Sequence, residues 1–289
     1  MQKLDFQPKF FSCIKNYNKN TFMSDLMAGV IVGIVALPLA IAFAIASGVS
    51  PEKGIVTAII AGFIVSFLGG SKVQIGGPTG AFIVIVYGVI QQYGLAGLTV
   101  ATMIAGVLLI LIGVFKLGTV IKFIPYPVVI GFTSGIAVTI FTTQMADVFG
   151  LNFGGETVPG DFIGKWMLYF RHLDTINWWD AGVCVISVLI IALTPQVSRR
   201  IPGSLVAIIF VTVGVWVMKT YFGITGIDTI GDRFSIDSHL PKAVIPALDW
   251  EAIKNLFPIA VTIAALGAIE SLLSATVADG MISDHHNSN

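Results

Sequence analysis

The sequence predicts an all-α protein that crosses a membrane several times. Three observations carry that expectation. Of its 289 residues, 55% are hydrophobic and only 11% are charged, where a soluble domain carries about 25% charged residues. The charges are clustered, leaving uncharged runs at 26–51, 54–71, 73–115, 123–146, 181–198, 201–218 and 255–269. A helix needs about 20 mostly apolar residues to cross hydrocarbon, and these runs have that scale.

Taken in chain order, residues 1–24 read as a polar tail carrying Lys3, Lys9, Lys15 and Lys19. The first apolar run is too long for a cleaved leader and reads as a retained span near 25–48, interrupted by Pro38. A second span follows near 54–70. The next run has 43 residues without a charge, enough for two spans, and "QQYGLAG" at 91–97 is polar and glycine-containing, so the break belongs there. That puts spans near 78–91 and 95–115, then further ones near 123–148, 180–198, 202–221 and 256–282, eight in all. Residues 223–255 read as an extracytoplasmic loop and 283–289 as a cytoplasmic end.

Lysine and arginine set the orientation. With the amino terminus in the cytoplasm, the four tail lysines join Lys72, Lys116, Lys122, Arg199 and Arg200 inside. The remaining seven basic residues lie outside, spread over longer segments. The segment near 161–178 is different: Phe162, Trp166, Tyr169, Phe170 and Leu173 recur at helical spacing, with Lys165, Arg171 and Asp174 off that stripe. It reads as a helix lying in the outer interface.

The third segment is broken at its start by Gly76, Gly77 and Pro78 in "QIGGPTGAF". Glycine permits unusual backbone conformations and close approach, and proline suits a first helical turn. A helix from Pro78 to about residue 91 has about 14 residues and a length of ~21 Å, short of a ~30 Å core. The stretch before it enters as extended chain, tolerable only beside protein or a watery cavity. Such a half-helix turns free N–H donors and a positive dipole end toward the bilayer centre, worth ~0.3–1 kcal/mol to an anion and up to ~2 kcal/mol when partly buried. Discontinuous helices of this kind form substrate sites in secondary transporters. A proline-kinked continuous span is the competing reading.

The eighth span holds a lone acid, Glu270, about 13 residues from its start. An ionised carboxylate there costs several kcal/mol unless paired or hydrated. Apart from Lys219 near the outer end of the seventh span, no span contributes a basic residue to neutralise it, so it reads as a proton carrier or a cation ligand. Ser274, four residues on, shares its face; Ser271 lies to one side. A protonated structural bond between helices is the competing account. Asp279 and Asp147 read as solvated helix ends.

Four stretches together resemble one family: "DLMAGVIVGIVALPLAIAFAIASGVSPEKG" (25–54), "GPTGAF" (77–82), "PYPVVIGFTSGIA" (125–137) and "ALGAIESLLSATVADGM" (265–281). They are similar to the SulP anion transporters, from Asp25 to the last residue. That resemblance implies two inverted repeats of seven segments, with helices 1–4 (25–122) and helix 8 (256–282) in a transport core and helices 5–7 (123–222) in a gate. It implies an anion site from Leu39 and Phe43 on the first helix, the backbone of Thr79, Gly80 and Ala81, and the Phe82 ring. Some animal members carry glutamine where this chain has Leu39, which offers no polar side-chain contact. Glu270 and Ser274 would serve the coupling ion. Sodium-coupled bicarbonate relatives carry aspartate and threonine there, so glutamate puts a proton ahead of sodium. Transport would move core against gate like an elevator. Gly29, Gly33, Gly106, Gly131 and Gly135 would let helices approach closely. The resemblance also implies that the chain stops one helix into the second repeat, before a tenth segment and a cytoplasmic domain.

The expected partners are therefore a small inorganic anion or dicarboxylate, a proton, the lipid bilayer of the inner (plasma) membrane, and a second copy of the chain as a candidate. A nucleobase/proton symporter of the same plan, and a truncated non-transporting fragment, are the alternatives. Net charge is zero, with 16 basic and 16 acidic residues, so no nucleic-acid footprint exists. The two cysteines, Cys13 and Cys184, read as free thiols, and four histidines lack metal spacing, so no cofactor is expected. No nucleophile–base pair suggests an enzyme.

Overall fold

An apolar helix pairs its backbone groups internally except at its two ends, which suits it to lipid, and every long element among the described residues takes that form. The computed structural model describes residues 8–15, 17–118, 126–198, 201–234, 246 and 250–282. Among these the regular structure is helical: α1 (Lys9–Ile14), α2 (Lys19–Ala46), α3 (Pro51–Leu68), a 3₁₀ turn (Gly80–Phe82) running into α4 (Ile83–Val114), α5 (Tyr126–Val148), α6 (Phe162–Arg171), α7 (Trp178–Val197), α8 (Gly203–Phe222), α9 (Ile230–Arg233) and α10 (Trp250–Ile282). Six stretches are long and apolar enough to cross a membrane: α2, α3, Gly80–Val114, α7, α8 and α10. The expected fifth span corresponds to α5. The expected third and fourth lie in one element, which departs from helical geometry at Gly94 (φ 67°, ψ −174°), inside the predicted break. Only glycine reaches that conformation without strain.

Caps explain most boundaries. The Asn18 side chain accepts from Thr21 N–H and starts α2 within the expected polar tail. Pro38 does not interrupt α2, which continues through it to Ala46, as membrane helices tolerate. Pro51 occupies the first turn of α3 with Glu52 beside it, where a missing N–H and a negative charge are both accommodated. Gly223, at φ 64°, ends α8. α10 starts at Trp250, six residues before the expected boundary. The predicted charge sites Lys3, Lys122, Arg199 and Arg200 lie outside the described residues.

The residues form two compact units. The first contains α1, α2 up to Leu26 and again from Ala40, α3, α4, α5 as far as Thr133, and α10. Its core is the seam of α4 and α10, where Val100, Ala101 and Ala105 meet Leu256, Ala260, Ile263 and Ala264. Ala101 and Ala260 are wholly buried. Lipid tails are as apolar as leucine, so packing rather than the hydrophobic effect holds such a seam, and small residues bring the backbones close. Gly54 of α3 does the same against α2: a Cβ there would strike the Ala40 carbonyl and come within 2.8 Å of Ala44 Cβ. The polar-tail reading missed α1, which docks on α3 through Lys9 N–H to Gly69 O (3.1 Å) and Phe10 against Phe67 (4.7 Å between rings).

The second unit contains Met27–Leu39 of α2, α5 from Ser134, and α6 to α9. α7 and α8 pair through Gly203, whose Cβ would lie 2.8 Å from Ile191 O. α6 packs Leu168 and Tyr169 beside Leu151, with Phe153 stacked on Tyr169 at 5.8 Å. In this segment Phe162, Phe170 and Leu173 of the expected stripe are exposed, whereas Tyr169 of the stripe and Lys165 off it are both buried. Burial pulls the Lys165 ammonium below the usual lysine range, partly offset by Asp161. Leu168 and Tyr169 dock one face of α6 and leave the aromatics on the other. Asp147 is not merely solvated, since Arg233 donates to it at 3.5 Å.

The glycine expectation also fails among the described residues. Nothing lies within 4 Å of a Cβ built on Gly29, Gly33, Gly106, Gly131 or Gly135. Close approach is made instead at Gly54, Gly76 and Gly203, positions facing a neighbouring backbone or a branched side chain.

Candidate functional site

The site is built on the stretch 74–82, between α3 and α10 in the first unit. Residues 74–79 are non-helical. On the α3 side, a Cβ at Gly76 would come within 2.6–3.1 Å of the Val65 side chain, and one at Gly62 within 3.2 Å of Gly76 O. Gly76 is thus required for close approach, not for an unusual dihedral: neither Gly76 nor Gly77 has a positive φ. On the α10 side, Gln74 Nε2 donates to Ser271 O at 2.9 Å and to Ser271 Oγ at 3.1 Å.

The helix does not begin at Pro78. Thr79 is extended (φ −135°, ψ 147°), and its hydroxyl accepts the Ala81 N–H at 3.3 Å. Threonine takes the capping role because its side-chain oxygen can replace a missing carbonyl, and proline serves the extended approach just as well. Helical backbone starts at Gly80. Gly80 is buried, and its N–H has no acceptor among the described residues.

Thr79 also carries the second contact. Its hydroxyl donates to Oε1 of Glu270, 191 residues away in the chain. The other carboxylate oxygen, Oε2, is buried and has no partner among the described residues. Two regions singled out separately in the sequence, the broken third segment and the lone acid, therefore meet through one hydroxyl. Glu270 forms no salt bridge among the described residues.

The remaining predicted residues are placed as follows. Gly80 and Ala81 form the first turn beside Thr79. The Phe82 ring packs on α10, 3.7 Å from a Cβ built at Gly267, and joins the α4–α10 core. Leu39 and Phe43 are one turn apart on α2; Leu39 is half exposed and Phe43 is more covered. Ser274 is exposed, and among the described residues no hydrogen bond joins it to Glu270. Helical spacing places Ser274 on the right face, but the Glu270 side chain turns toward Thr79. Gln74 and Ser271 were not marked as site residues. The available signal was a polar amide one residue after Val73 in an uncharged run, which needs a partner once it enters lipid.

Among the described residues no set of histidine, cysteine or acidic groups is arranged for a metal. Both cysteines are free thiols.

Comparison with known proteins follows this geometry. A family model described as the sulfate permease family matches residues 22–289. YvdB of Bacillus subtilis (strain 168), named as a candidate sulfate transporter, is 45% identical over 282 residues, covering 97% of this chain and 52% of that one. The bicarbonate transporter BicA of Synechocystis is 32% identical over 245 residues, covering 82% of this chain and 42% of that one. The solved transmembrane domain of a cyanobacterial BicA superposes with a TM-score of 0.75 at 30% identity, covering 94% of this chain and 69% of that one. The chain spans about half the length of the curated relatives it matches.

Proposed function

This chain belongs to the sulfate permease family, and from that premise we propose that it acts in secondary transport of a small anion, with Glu270 carrying a coupling proton. The anion is sulfate, bicarbonate or a dicarboxylate. It is held at the start of the 80–82 turn by the free Gly80 N–H and its neighbours, in reach of Thr79 and beside Phe82, with Phe43 as the apolar wall. The protein is not an enzyme.

One observation carries this reading: Thr79 and Glu270 touch. A donor cluster suited to an anion adjoins an acid that lacks a basic partner. Two negative charges brought together in lipid repel strongly, so the anion favours a protonated Glu270. Anion binding and proton uptake then assist each other, which is thermodynamic coupling. Ser274 remains the second proposed coupling residue, reached by a rotamer change.

A core-and-gate division draws support from α3, α4 and α10 falling in one compact unit and α7 and α8 in the other, while α2 and α5 are each divided between them. Movement of the core relative to the gate, in the cell inner (plasma) membrane with the amino terminus on the cytoplasmic side, completes the proposal. The family match supports an anion over a nucleobase.

The test is uptake by the full-length gene product in proteoliposomes, using labelled sulfate, bicarbonate and fumarate under imposed proton or sodium gradients. We expect uptake of one of them to follow the proton gradient, and Glu270→Gln to abolish that dependence. Normal gradient-driven accumulation by Glu270→Gln refutes the coupling role.

A further inference from the structure

Resting on the transport reading above, we infer that Thr79 is a positioning residue that transmits the protonation of Glu270 to the donors facing the anion. Its single hydroxyl has two partners. The proton is donated to Oε1 of Glu270, and the oxygen accepts the Ala81 N–H at 3.3 Å. With Glu270 ionised, the hydroxyl proton is committed to the carboxylate and withheld from the anion.

Protonation reverses this bond. A proton placed on Oε2 would make a buried hydroxyl with nothing to donate to, since Oε2 has no partner among the described residues. A buried donor left without an acceptor is costly. The proton therefore settles on Oε1 and is donated to Thr79 Oγ. Oε2 is then left as a neutral carbonyl oxygen, the less costly group to leave unpaired. The threonine proton is released to rotate toward the 80–82 turn. One proton enters from water onto Glu270, no other covalent bond changes, and the anion gains one donor.

Few other titratable groups face this pair. The run 73–115, which supplies both the stretch at the site and α4, has no charged side chain; its titratable groups are Tyr87 and Tyr93. α3 carries Glu52 and Lys53, both in its first turn, and α2 has no charge from 26 to 46. On α10 itself Glu251, Lys254 and Asp279 lie toward the two ends.

The experiment measures the KM for labelled sulfate, or for bicarbonate if that is the transported ion, at about pH 8 and about pH 5.5, conditions of low and high proton activity. The full-length gene product is compared with Thr79→Ser and Thr79→Val. Thr79→Ser keeps the hydroxyl and is expected to keep the wild-type ratio of the two KM values. Thr79→Val keeps the shape without it and is expected to shrink that ratio by about tenfold, the size of one hydrogen bond to a charged ligand. A Thr79→Val protein with the wild-type ratio overturns the inference, and so does a folded, transporting Thr79→Ser protein that has lost it. A wild-type ratio of one overturns the proton-coupled reading itself, and with it the role of Thr79.

Discussion

Gln74 and Ser271, 197 residues apart in sequence, are joined twice: one side-chain amide donates to both the carbonyl and the hydroxyl of the same serine, at 2.9 and 3.1 Å. Together with Thr79 and Glu270 this makes two rungs between the non-helical stretch and α10. A non-helical segment in a membrane survives only when protein replaces the water its polar groups lack. Gln74→Leu keeps the bulk and removes both bonds. It is expected to lower stability by about 1–2 kcal/mol, at ~1 kcal/mol for each bond. Thermal unfolding in detergent, compared with wild type at one scan rate, reads this directly. An unchanged midpoint would mean that the rung contributes nothing.

The glycines separate into two groups with opposite expected responses. Gly54→Val places atoms against the Ala40 carbonyl and Ala44 Cβ, and overpacking of this kind costs about 1–3 kcal/mol. Gly29→Ala meets nothing within 4 Å and should be neutral or stabilising by up to ~1 kcal/mol through helix propensity. Matched unfolding midpoints of the two variants decide the matter. Equal losses would show that Gly29 faces a neighbour after all.

At the end of α8, Lys219 donates to Asp232 at 2.5 Å, and Thr229 adds its N–H and hydroxyl at 2.7 and 2.6 Å. The Lys219 ammonium, followed by the Thr229 donors, holds the Asp232 carboxyl well below the usual carboxylate range. A carboxyl lowered by folding stabilises the fold above its unfolded value, near 3.9, and that contribution is lost as pH falls through the lower folded value. Hydrogen-exchange protection of 229–234 should therefore hold from neutrality down to about pH 4 and decline below it, with a smaller decline in Asp232→Asn. Because the group is exposed, high salt should weaken the effect. A decline of equal size in both proteins would remove Asp232 as its cause.

Several features were legible in the residue order because their causes are local. Span positions follow from uncharged runs, since a charge in hydrocarbon costs more than any packing gain near it. The turn at 91–97 was visible in its polar residues and in Gly94. The break before the 80–82 turn was visible in Gly76, Gly77 and Pro78, although Thr79 rather than Pro78 defines the helix start. Glu270 stood out because it is the one acid deep within its span.

Rotamers and long-range partners were not local, and the sequence was silent on them. Helical spacing places Ser274 and Ser271 at different angles around α10, yet the element packed there selects which side chain Glu270 meets, and that element is Thr79. Gly76 offered an unusual conformation or a close approach, and its packing against Val65 makes it the latter. Lys165 looked like the solvent face of α6 but lies beneath it. Hydrocarbon solubility, a property of each segment alone, determined where this chain enters and leaves the membrane. Which polar group satisfies which depends on segments meeting in space, so only the packed tertiary structure could decide it.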